Sequence, residues 1–108
     1  MQATEKPDNE TQRLAALHAL QVLDTPLDTA FERMTQLARD LFDVPIALVS
    51  LVDQERQWFK SHQGLDTCET SREVSFCAHA IALDAPLVIE DTLHDERFRD
   101  NPLVGDLP

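Results

Sequence analysis

Cys77 and His79 lie two residues apart in an apolar stretch that spans residues 74–81. It is the only place in the chain where a cysteine and a histidine lie close together within apolar sequence. A thiolate is a nucleophile and a metal ligand, and an imidazole can bind a metal or carry a proton near neutral pH. Three interpretations are therefore open: a metal site, a reactive thiol, or two side chains that fill a core.

A metal site would need more ligands than this pair. Structural zinc sites take four ligands, and the remaining cysteine and histidines outside the first predicted helix are Cys68, His62 and His94. Their spacings match no standard zinc pattern. On a helix, positions 77 and 79 would also be about 200° apart and would point in different directions. The sequence therefore predicts no metal site and no cofactor.

A reactive thiol is the second interpretation. Ser75 is a candidate helix cap, and it would place Cys77 in the first turn of a short helix, where the helix dipole favours a thiolate. Redox chemistry would also need a second cysteine, and Cys68 lies in a predicted loop. We favour a role for Cys77 as a small, buried apolar residue.

Composition and charge limit the class of protein. A chain of 108 residues can form one domain with a modest core. The net charge of −11 disfavours binding to nucleic acid or to an anionic membrane. The sequence has no apolar run long enough to span a membrane and no apolar signal segment near the N-terminus. We expect a cytoplasmic protein, without a disulfide between Cys68 and Cys77.

The first half of the chain predicts two helices after a disordered tail over residues 1–8. The first helix covers residues 10–23, with Asn9 and Gln12 forming a capping box. The second begins with Thr25 as its cap and closes near Phe42, before Pro45. Its 3.6-residue period predicts a buried apolar stripe that consists of Phe31, Met34, Leu37, Ala38 and Leu41.

The second half predicts strands over residues 46–52, 57–62 and 86–90, with a loop over 64–73. A short helix capped by Ser75 ends near Leu83, and helical turns follow over 92–99. Because Trp58 and Phe59 are adjacent in a strand, they point to opposite faces of the sheet. One should pack on the helices, and the other should lie near Phe76.

The strand over residues 46–52 is apolar on both faces and belongs in the middle of a sheet. Only one neighbour, the strand over 57–62, is evident, so its other edge would expose unpaired backbone. We therefore expect that the domain is incomplete at its C-terminus, or that a second chain supplies the missing strand.

Six segments together resemble the GAF domain, of the type found at the N-terminus of bacterial sensor histidine kinases and diguanylate cyclases. They are ETQRLAAL at 10–17, VLDTP at 22–26, VPIALVSLVD at 44–53, RQWFK at 56–60, VSFCAHAI at 74–81 and DERF at 95–98, followed by Asn101 and Pro102. The resemblance implies an α+β fold, related to PAS domains, over residues 9–108. One antiparallel sheet carries a helical layer on one face and a ligand pocket on the other. Two further strands and a closing helix of the family are absent from this sequence.

The resemblance also implies a function. GAF domains are sensory modules of signal-transduction proteins, and their outputs are histidine kinase, cyclase or phosphodiesterase domains. The cyclic-nucleotide signature of some members is absent, and the bilin pattern is broken because Ala78 separates Cys77 from His79. Some GAF-fold proteins reduce free methionine sulfoxide with pocket cysteines, which keeps a thiol-dependent reductase using Cys77 as one alternative.

We therefore predict a non-enzymatic sensory module of a signal-transduction protein, such as a two-component system, that binds a small molecule or a partner chain and passes the signal to an output domain. The predicted ligand-binding residues are Trp58, Phe76, Cys77, His79 and Ala80, and the ligand is an unidentified small molecule. A homodimer would form through the first helix, between Thr11 and Leu23, whose alanine-rich face allows close approach. A purely structural dimerisation module is the second alternative.

Overall fold

The computed structural model of the chain describes residues 6–83, 85–102 and 104. Its elements are α1 (Glu10–Ala19), α2 (Thr29–Phe42), β1 (Ala47–Val52), β2 (Arg56–Gln63), β3 (Glu69–Ser71) and α3 (Phe76–Ala80). Two 3₁₀ turns cover Arg72–Val74 and Thr92–His94. The strands form one antiparallel sheet in the order β1-β2-β3. These elements confirm the predicted α+β fold, with α2 packed on β1 and β2. The predicted tail over 1–8 lies largely outside the described residues.

Helix α1 is shorter than predicted, so the prediction that it extends to Leu23 is wrong. It begins without a side-chain cap from Asn9. The amide of Leu20 bonds the carbonyl of Leu17 at 3.2 Å, which tightens the last turn. Gln21 then takes a positive φ of 52°, a conformation that cannot continue a right-handed helix. Val22 and Leu23, in the segment that connects α1 to α2, are half-buried, whereas Leu20 is 71% exposed.

Helix α2 begins later than predicted. Thr25 does not cap it, because its hydroxyl donates back to the carbonyl of Val22 at 2.5 Å. Asp28 is the N-cap, and its carboxylate accepts from the amide of Ala30 at 2.9 Å. The predicted end at Phe42 is confirmed, where Asp43 takes the left-handed conformation common at helix C-termini.

The face that α2 turns to the sheet also differs from the prediction. The stripe of Met34, Leu37 and Leu41 is exposed, with Leu37 65% accessible. Thr35 is buried instead, and its hydroxyl lies 2.8 Å from that of Ser61 on β2. Glu32 also bonds Ser61, at 2.6 Å. The face of α2 around Thr35 therefore meets the sheet. It carries the half-buried Phe31 and Ala38 of the predicted stripe together with polar side chains that bond hydroxyl and amide groups of β2.

A β-bulge in β2 determines which side chains reach each face of the sheet. Val49 pairs with Ser61 and Ser50 pairs with Phe59, so Lys60 has no partner on β1. The Lys60 ammonium bonds Thr25 and the carbonyl of Pro26 at 2.7 and 2.6 Å, on the helical side. Ser61 also faces the helices. Two consecutive residues thus point to one face, and the alternation of β2 reverses beyond position 60.

The third strand is not where the sequence predicts it. Residues 69–71, predicted as loop, form β3 and pair with Arg56–Trp58 of β2. Residues 86–90 form no strand, and Val88 is 78% exposed. β3 occupies the sheet edge beside the start of β2, so that edge is closed to the later segment. Among the described residues, β1 pairs only with β2.

Candidate ligand-binding site at helix α3

Helix α3 is fixed at its N-terminus by Ser75, as predicted. The fully buried Ser75 hydroxyl accepts from the amide of Ala78 at 3.1 Å and donates to the side chain of Gln57 at 2.8 Å. One serine therefore caps the helix and joins it to the sheet. The helix ends at Ala80, and looser turns continue to Leu83.

Gln57 lies at the centre of a small polar network under α3. Its carbonyl oxygen accepts from Ser50 on β1 at 3.0 Å as well as from Ser75. Its amide nitrogen donates to Thr70 on β3 at 2.9 Å. Gln57 is buried, and the polar atoms of its side chain have partners on β1, on β3 and at the start of α3. They give α3 one position against the sheet.

An aromatic cluster covers the other side of α3. Phe98 is completely buried and lies edge-to-face against Phe76 and His79, with ring centroids 4.7 and 4.8 Å apart. The guanidinium of Arg97 lies 5.1 Å from the centroid of the Phe98 ring. Arg97 also pairs with Asp95 at 2.8 Å, and its hydrogen bonds lower the pKa of Asp95 below its usual value.

Four of the five predicted site residues are together on α3. Phe76, Cys77, His79 and Ala80 are half-buried, around a buried Ala78. Trp58 is not with them: it alternates with Gln57 and lies between Arg56 and Lys60, which bond the segment between α1 and α2. Trp58 therefore faces the helical layer. Phe59 is on the α3 face, 6.5 Å from the ring of His62.

Cys77 and His79 do not form a metal site with other residues in the described part of the chain, where no cluster of three or more potential ligands occurs. Cys77 and Cys68 are both free thiols, and Cys68 is exposed. His79 packs its ring on Phe98. The arrangement favours contact with a partly apolar molecule over metal chemistry.

Sequence reasoning missed Gln57, Phe98 and Asn101 as contributors to this site. Asn101 is buried, and its side-chain amide donates to the carbonyl of Val74 at 2.8 Å, just before α3. Gln57 lies in a strand with several other polar residues, so its type alone does not single it out. Phe98 and Asn101 lie in segments that carry the family resemblance, but their partners on and before α3 are more than 18 residues away, so no local pattern identifies these contacts.

An ion-pair cluster lies beside the site. Arg72, 9% exposed, bonds both carboxylate oxygens of Glu10, at 2.5 and 3.2 Å. It also donates to the carbonyls of Asp53 and Gln54 at 3.0 and 3.3 Å. Arg13 bonds the same carboxylate at 3.1 and 2.9 Å. The hydrogen bonds from Arg72 and then Arg13 lower the pKa of Glu10 from 4.5 to about 2.

A second cluster centres on Arg56 and fixes the segment before α2. Its guanidinium makes two bonds to Asp24, at 2.8 and 2.7 Å, and further bonds to Asp53 and Glu69. These partners, led by Asp24, raise the pKa of Arg56 above its usual value.

Over the residues described, no helix is long and apolar enough to cross a lipid bilayer.

Comparison with known proteins agrees with this architecture. A cyclic di-GMP phosphodiesterase of Pseudomonas aeruginosa is 41% identical over 102 residues. The match covers 94% of this chain but only 17% of that protein, so the chain spans about one-sixth of its relative. The relative is thus a phosphodiesterase, and not one of the kinases or cyclases named by the sequence resemblance. The GAF domain profile matches residues 26–107. The chain therefore belongs to the GAF domain family.

Proposed function

We propose that this chain is a sensory module that binds a small molecule on the α3 face of its sheet and passes the signal to an output domain. The observation that carries the proposal is the match of 94% of the chain to 17% of a cyclic di-GMP phosphodiesterase. A segment of that size is a minor part of the relative, so the catalytic domain would lie elsewhere. This chain itself is then regulatory and not an enzyme.

The output we propose is the turnover of a cyclic dinucleotide, and a histidine kinase of a two-component system is the alternative output. Two free thiols suit a cytoplasmic location. The net charge of −11 does not attract an anionic ligand. We therefore propose that the cyclic dinucleotide is a substrate of the output domain and not the ligand of this module.

The chemistry of the α3 face indicates the class of ligand. Phe76, Cys77, His79 and Ala80 offer half-buried apolar and aromatic surface with one imidazole. Phe59 is on the same face of the sheet and replaces Trp58 in the proposed site. Such a lining suits a small neutral molecule with an aromatic or aliphatic body and a few polar atoms. Three shallow surface depressions, in each of which at least half of the lining residues are charged, lie outside α3.

We propose a homodimer through α1, within the predicted Thr11 to Leu23 region. The exposed Ala15, Ala16 and Ala19 allow close helix approach.

The two alternative functions that the sequence analysis left open differ in what they require. A thiol-dependent reductase needs Cys77 to react, and a structural dimerisation module needs no ligand at all.

A thermal-shift screen of small neutral molecules and free nucleotides would test the ligand proposal. A ligand present at 100 times its Kd should stabilise the domain by about 2.7 kcal/mol and raise Tm by roughly 10 °C. Phe76→Leu should reduce that increase, whereas Cys68→Ser, on the exposed loop, should leave it unchanged. If no compound raises Tm while gel filtration shows a dimer, the structural module is supported and the sensor is refuted. Methionine sulfoxide reduction that is lost in Cys77→Ser would support the reductase.

A further inference from the structure

Residues Arg72–Ser75, here called the α3 entry turn, connect the candidate ligand site to helix α1. We propose that Glu10 and Arg72 are positioning residues that hold the α3 entry turn against α1, so that displacement of α3 changes how α1 is held. The direction of this signal rests on the proposed ligand site at α3. The contact itself can be tested without any ligand.

Arg72 contacts two separate parts of the fold. It bonds Glu10 on α1 and the carbonyls of Asp53 and Gln54 in the turn between β1 and β2. The Glu10 carboxylate and Arg72 are 62 residues apart in sequence. Because the guanidinium is planar and nearly buried, it cannot follow a shift of its own backbone while keeping all of these bonds.

The α3 entry turn has little freedom between Arg72 and the helix. The amide of Ser75 bonds the carbonyl of Arg72 at 3.1 Å. Asn101 bonds the carbonyl of Val74 at 2.8 Å. Ser75 is the helix cap. A movement of the first turn of α3 is therefore transmitted to Arg72 through a short segment whose backbone groups are hydrogen-bonded.

Glu10 is shared by two arginines, which makes the contact sensitive to its charge. Arg13 and Arg72 both bond its carboxylate, and Arg13 also bonds the carbonyl of Val52. Loss of the negative charge leaves two guanidinium groups facing each other over a neutral side chain. Their repulsion acts on the α3 entry turn, because Arg13 remains bound to β1.

Hydrogen exchange of the complete chain would test the contact. Glu10→Gln should accelerate exchange of the Ala78 amide about tenfold, the change expected from losing one charge-assisted hydrogen bond. The matched control Asp8→Asn removes an exposed acid two residues earlier and should leave α3 unchanged. Unchanged exchange at Ala78 in Glu10→Gln would overturn the inference, as would an equal acceleration in α2.

A second control separates the contact from the helix dipole, because Glu10 is also in the first turn of α1. The double variant Glu10→Gln/Thr11→Glu restores an acid to that turn, but about 100° around the helix and away from Arg72. Continued fast exchange at Ala78 supports the inference. Recovery of slow exchange would assign the effect to the dipole and refute it.

A double-mutant cycle tests transmission in the opposite direction. Ser75→Ala loosens the start of α3 and should accelerate exchange of α1 amides in the wild-type background. The same substitution should have little effect on α1 in the Glu10→Gln background, where the contact is already lost. Equal effects in the two backgrounds would overturn the inference. Failure of the ligand screen would leave both exchange results intact, so the two proposals can fail separately.

Discussion

Replacing Phe98 with leucine measures how much the aromatic cluster contributes to the position of α3. Phe98 is completely buried and makes edge-to-face contacts with Phe76 and His79. Each such contact contributes about 0.5–1.5 kcal/mol beyond the burial of its area. The contact with the Arg97 guanidinium adds about 0.5 kcal/mol, because that side chain is partly exposed. Leucine retains most of the apolar volume, so we expect a loss of about 2 kcal/mol.

Urea unfolding followed by tryptophan fluorescence would measure this loss. The chain has one tryptophan, Trp58, and it is 7% exposed, so its emission should change on unfolding. The midpoint should fall by roughly 1 M urea with an unchanged slope. The matched control is Phe42→Leu, at a side chain that is 70% exposed, where the change should stay within about 0.5 kcal/mol. Equal losses in the two variants would refute the assignment of Phe98 as the centre of this cluster.

Three further substitutions test other contacts. Because the folded pKa of Glu10 is about 2 against a usual 4.5, its ion pairs stabilise the fold fully above pH 4.5 and lose this effect as the pH falls towards 2. After allowance for solvent screening, wild type should exceed Glu10→Gln in unfolding free energy by about 1–2 kcal/mol at neutral pH. This difference should vanish near pH 2, and a difference that does not depend on pH would contradict the assignment. Ser75→Ala should lower the free energy of unfolding in urea by about 2 kcal/mol, because it removes a buried cap and a bond to the sheet. The control Ser71→Ala, at an exposed cap, should lower it by about 0.5 kcal/mol. Similar losses in the two variants would argue against the buried network. Gly64→Ala should lower the free energy of unfolding by more than about 2 kcal/mol, since a Cβ there would lie 1.9 Å from the carbonyl oxygen of Pro45 at a φ of 77°. A variant as stable as the wild type would contradict this close approach of Gly64 to Pro45.

Local signals were sufficient for some parts of the fold. The hairpin of β1 and β2 follows from apolar and alternating segments, and the predicted strands agree with the observed ones to within one residue. The cap at Ser75 follows from a hydroxyl placed before a short apolar helix. The end of α2 follows from the restriction that Pro45 places on Val44. Each of these depends on residues that are neighbours in sequence.

Other parts depend on contacts that no local pattern contains. The period of α2 predicts a buried stripe that includes Met34, Leu37 and Leu41, which are exposed. Thr35 is buried instead, because Ser61, 26 residues away, meets its hydroxyl. The sequence shows that Trp58 and Phe59 point to opposite faces of the sheet, but it does not show which of them faces the helices. Arg56 and Lys60 decide between them by bonding the α1–α2 segment. In the candidate site, the α3 residues were predictable from their motif, whereas Phe98 and Gln57 required the fold.

The unpaired Lys60 in β2 has a consequence for how this strand can vary. Side chains beyond it reach the opposite face from the one that strict alternation along β2 would give. Deletion of Lys60 would remove the bulge and leave Phe59 opposite Ser50 and Ser61 opposite Val49, so Ser61 and His62 would keep their faces in a regular ladder. Deletion of any other single residue within β2 would instead exchange the faces of the side chains on one side of the gap. We therefore expect that β2 tolerates a change of length at Lys60 more readily than at its other positions.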